Sequence, residues 1–162
     1  MTIERKDGDL LTETGLDAIC HQCNCFKTMG AGLAVAIAKQ HPEAMNIDRN
    51  NLLAPYDRLG SYTMAKSKGP DGKSFLVFNL YGQLHYGTGR PQTDYPSLEK
   101  AMTAMREYLM DKVARSKGHA RVGIPYGIGC GLAGGDWKVV EEMIEKVFGQ
   151  DKCIIAVIVR KI

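Results

Sequence analysis

The sequence predicts an α/β protein, a three-layer α/β/α sandwich built on a mixed, mostly parallel central sheet. Short apolar runs alternate with longer stretches of helical periodicity along the chain, the rhythm of strands and helices in such a sheet. The closing run Cys153-Ile154-Ile155-Ala156-Val157-Ile158-Val159 is almost wholly apolar and rich in β-branched residues, as suits a strand covered by helices on both faces. Two loops rich in small residues each follow a strand and open a helix, a recurring unit of open α/β sheets.

The elements follow in order. Asp17-Ala18-Ile19-Cys20-His21 is a strand candidate. It leads through a loop to a helix from about Gly30, with Leu33, Ala34, Ile37 and Ala38 on one apolar face. Ser61 to Ala65 and Ser74 to Leu80 are strands separated by Lys68-Gly69-Pro70-Asp71-Gly72, turn formers that make the pair antiparallel. Leu98, Ala101, Met102, Met105, Leu109 and Val113 recur at three- and four-residue spacing, so a helix from about Ser97 to Arg115 packs on the sheet. Arg121-Val122-Gly123-Ile124-Pro125 is the next strand. A glycine-rich loop follows it, then a helix from near Asp136 with Val140, Met143, Ile144 and Val147 inward.

The 162 residues fit one domain, 1–162, large enough for a core without disulfides or structural metal. A net charge of +3, with acids and bases interleaved, mildly favours anionic ligands and does not argue for nucleic acid. Five cysteines, an odd number, suit free thiols in a reducing compartment. Cys20-x-x-Cys23 with Cys25 lacks a second ligand pair, so no metal is expected. The start of the sequence lacks the apolar stretch of a signal peptide, and no apolar run is long enough to cross a bilayer. A cytoplasmic protein without a membrane partner is expected.

The two loops are where chemistry gathers. Met29-Gly30-Ala31-Gly32-Leu33-Ala34 and Tyr126-Gly127-Ile128-Gly129-Cys130-Gly131-Leu132-Ala133-Gly134-Gly135 lie at the carboxyl edge of the predicted sheet. There, backbone N–H groups and a positive helix end can meet phosphates. Neither loop carries the lysine of a triphosphatase loop, and the first lacks the full dinucleotide fingerprint, which disfavours generic NTPases and dehydrogenases.

Taken together, Gly8-Asp9-Leu10, Asp17-Ala18-Ile19-Cys20-His21-Gln22-Cys23-Asn24 and the two loops resemble, in order, the motifs of the macrodomain family of ADP-ribose-binding modules. The His21-x-Cys23-Asn24-Cys25 run and Gly129-Cys130-Gly131-Leu132 look closest to the branch of ADP-ribose-1″-phosphate phosphatases and terminal ADP-ribose glycohydrolases, which includes phage and bacterial members. The resemblance implies ADP-ribose or a derivative as ligand, no cofactor, and hydrolysis of ADP-ribose 1″-phosphate to ADP-ribose and phosphate. It also leaves open removal of ADP-ribose from a modified macromolecule, with nucleic acid only as such a substrate, or a non-catalytic reader.

The resemblance gives His21 and Asn24 catalytic roles, proton transfer for the first and contact with the distal ribose for the second. Asp9, with Leu10, would receive adenine. Gly30, Ala31, Gly32 and Leu33, and Gly127, Ile128, Gly129, Cys130, Gly131 and Leu132, would hold the pyrophosphate. From the residues alone, Asp9 is equally a turn acid, Asn24 a loop cap and His21 a structural hydrogen-bonder. The glycohydrolase pattern places a lysine near Asn79-Leu80-Tyr81-Gly82-Gln83 and an acid at Ala133. This chain has neither, which argues against a lysine adduct. Asn79, Gln83, His85 and Asp94 are polar groups expected beside the cleft, with Asp94 alternatively capping the long helix. Asp136 is expected to cap the helix it precedes, Tyr81 and Tyr126 to flank the cleft, and Trp137 to pack in the core.

Overall fold

The computed structural model describes residues 3–87, 91–150 and 152–162. Its strands are β1 (Ile3–Asp7), β2 (Ala18–Asn24), β3 (Tyr62–Lys68), β4 (Ser74–Gln83), β5 (Ala120–Pro125) and β6 (Ile154–Arg160). They form one sheet in the order β1-β6-β5-β2-β4-β3. All neighbours are parallel except β3 and β4, which pair antiparallel from Tyr62 with Leu80 to Lys68 with Ser74. The mixed, mostly parallel sheet and its one antiparallel pair are as the sequence predicts.

The helices are α1 (Gly32–Gln40), α2 (Pro42–Arg49), α3 (Pro55–Arg58), α4 (Tyr95–Leu109), α5 (Arg115–Lys117) and α6 (Trp137–Phe148). A π-helical turn, Met110–Ala114, joins α4 to α5. Alternation along the strands divides the core. Ala18 and Cys20 of β2 pack with Phe78, Ile124, Ala156 and the inner faces of α4 and α6, whereas Ile19 packs with Val77, Val157, and Ile37 and Ala44 of α1 and α2. Two helical layers therefore sandwich the sheet, as β-strand periodicity requires. No described helix is long and apolar enough to cross a membrane.

Several boundaries differ from the expectation. β1 went unpredicted because four of its five residues are polar; it is an edge strand held only by β6, where polar residues belong. The helices α2 and α3 were likewise unpredicted, each short and opened by proline at its first turn. β2 runs on past His21 to Asn24 because β4 continues beside it to Gln83, with an irregularity between Gln22 and Asn24. His21 is thus mid-strand rather than terminal. α1 starts at Gly32, two residues later than expected, and β3 extends to Lys68. Gly123 in β5 is needed for packing, since a Cβ there would lie 2.7 Å from Leu10 Cδ1 and from Leu16 Cδ1.

Candidate ligand site

The ends of β2, β4 and β5 and both small-residue loops surround a cavity of about 540 Å³, within the size range of small-molecule sites. His21, Gln22 and Asn24 come from β2, Gln83 from β4, Gly30, Ala31, Leu33 and Ala34 from the first loop and α1, and Gly127, Ile128, Gly129, Gly131 and Leu132 from the second loop. The loops meet: a Cβ on Gly32 would lie 3.4 Å from Leu132 Cδ1. Gly32, Cys130, Asp9 and Leu10 are not in the lining.

The first loop delivers an open helix end. Ala31, in extended geometry at φ −150°, precedes α1 without a side-chain cap, and the first turn holds no acid. The initial N–H groups of a helix have no intrahelical acceptor, and here no carboxylate or hydroxyl takes them. α6 differs, because Asp136 accepts from Lys138 N at 3.0 Å and closes its own helix end, as expected.

The second loop is a succession of turns. Ile128 N donates to Pro125 O, Cys130 N to Gly127 O, Gly134 N to Gly131 O and Gly135 N to Gly129 O. Positive φ at Gly127 and Gly129, +79° and +75°, turns the chain where L side chains are strained. Among the described residues the N–H groups of Gly127, Gly129 and Gly131 have no hydrogen-bond partner, and all three residues line the cavity, where such donors suit an anion.

His21 is 2% exposed, and its Nε2 lies 2.7 Å from Asn79 Oδ1. Asn79 Nδ2 donates to Ala44 O at 2.9 Å and Thr63 Oγ1 at 3.0 Å, so its oxygen must accept and His21 Nε2 carries the proton. The chain continues through Thr63 Oγ1, 2.9 Å from Tyr81 Oη, to Asp48 Oδ1, which accepts from Tyr81 Oη at 2.6 Å. Burial pulls the His21 pKa down to about 4 against the opposing hydrogen bond from Asn79. The imidazole is therefore neutral near pH 7. Asp48, buried in turn, has its pKa raised by desolvation despite its bond to Tyr81.

Asn24 caps the first loop: Nδ2 donates to Thr28 O at 2.8 Å and Oδ1 accepts from Phe26 N at 2.8 Å, while the residue still lines the cavity. Asp9 lies beyond the lining. Its Oδ1 accepts from Leu11 N at 2.9 Å, the turn role, and Lys161 Nζ stands 3.8 Å from Oδ2. Leu10 is buried against Ile19 and Val159. Asn79 is a buried anchor, and Asp94 caps α4 by accepting from Ser97 N at 3.2 Å. His85 is exposed and stacks on Phe26 with centroids 4.6 Å apart.

Tyr126 lines the cavity under the Arg160 guanidinium, 5.2 Å from its ring centroid, and packs 4.6 Å from Trp137. Tyr81 does not flank it; it is fully buried behind β4 in the Asp48 network. Lining residues missed from the sequence include Gln22, Thr28 and Tyr86; only the contiguity of Gln22 with His21 and Asn24 could have signalled one of them. Among the described residues no three His, Cys, Asp or Glu side chains group as a metal site. The thiols nearby are quiet. Burial pushes Cys25 and Cys130 up to about 11 and Cys23 well above the ordinary range. Cys25 Sγ donates to Gln83 O and Cys130 Sγ to Ile128 O.

No family model matches the chain. A 17.5 kDa protein from the tk-vs intergenic region of Enterobacteria phage T4 is 30% identical over 128 residues, 78% of this chain and 77% of that protein. The macrodomain of Mycobacterium tuberculosis DarG superposes with a TM-score of 0.75 at 23% identity, over 97% of this chain and 96% of that one. Thermosipho africanus DarTG in complex with ADP-ribose gives 0.67 at 16%, over 97% of this chain and 41% of that one. The architecture here is the one these structures share.

Proposed function

Since the chain belongs to the same family as the phage T4 17.5 kDa protein and has the macrodomain fold, we propose that it binds ADP-ribose in the cavity between the two loops. The observation that carries this reading is the pair of facing donor sets, the uncapped N-terminus of α1 and the unpartnered N–H groups of Gly127, Gly129 and Gly131. A pyrophosphate between them would satisfy both, because each offers backbone N–H and no competing carboxylate. The structure solved with ADP-ribose has the same fold.

The adenine is assigned to the Tyr126 end. Gly8 N donates to Arg160 O and Tyr126 N to Val159 O, so β6 joins Asp9 to that wall. The 38% exposed Asp9 side chain has Oδ2 beside Lys161 Nζ at 3.8 Å, and an adenine amino group would share that oxygen. The distal ribose then faces Asn24 and His21.

A second reading, hydrolysis of ADP-ribose 1″-phosphate, is favoured by His21. It lines the cavity, and its protonated Nε2 is committed to Asn79; Nδ1, 3.8 Å from Cys23 Sγ, is the ring's acceptor and would take the proton from water. Among the described residues the lining contains no lysine, aspartate or glutamate, which gives no support to a lysine adduct. Macromolecule-linked ADP-ribose, on protein or nucleic acid, is the alternative substrate, and the cytoplasm the expected compartment.

Calorimetric titration with ADP-ribose tests the first reading, and a wild-type protein that shows no heat of binding overturns it. Phosphate release from ADP-ribose 1″-phosphate tests the second. Turnover in the wild type that His21→Gln loses, with ADP-ribose affinity kept within about threefold, supports the hydrolase. Binding without release supports a reader.

A further inference from the structure

Gln22 has a directional set of hydrogen bonds that the ligand reading does not use. Gln83 Nε2 donates to His85 O at 2.7 Å, which turns Gln83 Oε1 toward Gln22. Gln22 Nε2 donates to that oxygen at 2.8 Å and to Thr93 Oγ1 at 2.9 Å. Thr93 Oγ1 in turn donates to Gly129 O at 2.6 Å. The two protons of Gln22 Nε2 have two acceptors and the one proton of Thr93 Oγ1 has one, so the amide and the hydroxyl have a single orientation.

Space for this chain is built into the backbone. A Cβ on Gly82 would lie 2.5 Å from Gln22 Oε1, and one on Gly129 would lie 2.9 Å from the same atom and 3.2 Å from Thr93 Oγ1. Gln22 Oε1 has no hydrogen-bond partner and is shut from solvent, a state tolerated when the other end of the amide is firmly held. The segment carrying Thr93 is itself pinned, with Gln92 N donating to Ala133 O and Asp94 N to Gly82 O, both at 2.7 Å.

We propose that Gln22 and Thr93 are positioning residues: together they brace Gly129 and hold the second loop in the shape that presents its N–H groups to the cavity. As a statement about ligand binding this rests on the ADP-ribose reading; as a statement about the loop it does not. The brace works through the carbonyl of Gly129, which also accepts from Gly135 N at 2.8 Å; removing the hydroxyl leaves that carbonyl one of its two donors and loosens the peptide planes on either side. Thr93 does not line the cavity, and its effect on a ligand passes only through the loop.

The test compares Thr93→Val, which keeps the shape and loses the hydroxyl, with Thr93→Ser, which keeps the hydroxyl. Amide exchange of residues 127–132 in the unliganded protein is measured beside ADP-ribose affinity. Valine should speed that exchange by about tenfold and weaken ADP-ribose by about tenfold, a lost hydrogen bond to a loop that must reorder. Serine should stay within about twofold of wild type in both. Valine exchange equal to wild type overturns the brace. If the wild type binds no ADP-ribose, the ligand reading fails and exchange alone decides the brace. Should Thr93→Val not fold, Gln22→Met, which cannot donate, takes its place with the same expected exchange.

Discussion

Replacing Ala31 with aspartate should move stability and ligand affinity in opposite directions. Ala31 is exposed and already in the extended conformation of a helix cap, at φ −150° and ψ 159°. An aspartate there takes the N–H groups of the first turn, which stabilises a helix by about 1 kcal/mol over alanine. It also puts a carboxylate in the loop assigned to the pyrophosphate. At roughly 8 Å and an effective dielectric near 20, each ligand charge costs about 2 kcal/mol, and physiological salt removes more than half of that. Two ligand charges leave about 1.5 kcal/mol, a little over tenfold in affinity. Competition for the same N–H groups adds to it. Denaturant unfolding measures the gain, and titration with ADP-ribose the loss. Ala31→Asn, a neutral cap, should match the gain in stability and lose about tenfold less affinity, with the gap between the two variants shrinking as salt rises. An aspartate variant that binds within threefold of wild type would refute the assignment of the pyrophosphate to this helix end.

Acid should destabilise the fold through His21. Its folded pKa of about 4 lies below the ordinary value of 6.5, so the unfolded chain takes up the proton first. Stability is whole above pH 6.5 and falls progressively toward pH 4, by up to about 3 kcal/mol. His41, lowered by burial, adds in the same direction, and Asp48, raised by burial, opposes it at the acid end. His21→Gln should flatten the slope in unfolding curves taken across that window; an unchanged slope means that the burial is not felt by the proton. Gly123→Ala should lower stability by about 1–3 kcal/mol, since its methyl would meet two leucines at 2.7 Å. Unchanged thermal unfolding of that variant would contradict the packing under Leu10.

What could be read in the sequence follows from where side-chain pattern decides structure. α4 and α6 carry strong periodicity and are buried on the face the pattern indicates, and β4 is a mostly apolar run buried on both faces from Val77 to Gly82. β1 carries almost none, because an edge strand of one apolar and four polar residues is specified by the backbone of β6 rather than by its own composition. Both glycine loops were visible because they need small residues. Gln22 was not: a glutamine in a strand has no distinctive neighbours in sequence, and its partners Gln83, Thr93 and Gly129 become adjacent only when the sheet closes. Tyr81 was misplaced for the converse reason. Its place in Asn79-Leu80-Tyr81-Gly82-Gln83 suggested the cleft, but its ring is buried and its hydroxyl donates to Asp48, a partner 33 residues away that only the fold brings near.

Burial of the cysteines has a consequence for how the protein meets reactive chemistry. Electrophiles and peroxides attack the thiolate, and a thiol with a pKa of about 11, as at Cys25 and Cys130, exposes roughly one thiolate in ten thousand at neutral pH. Cys25 and Cys130, neither of which lines the cavity, are therefore poor targets for alkylation or sulfenylation. Thiol-directed reagents would find little purchase on either residue.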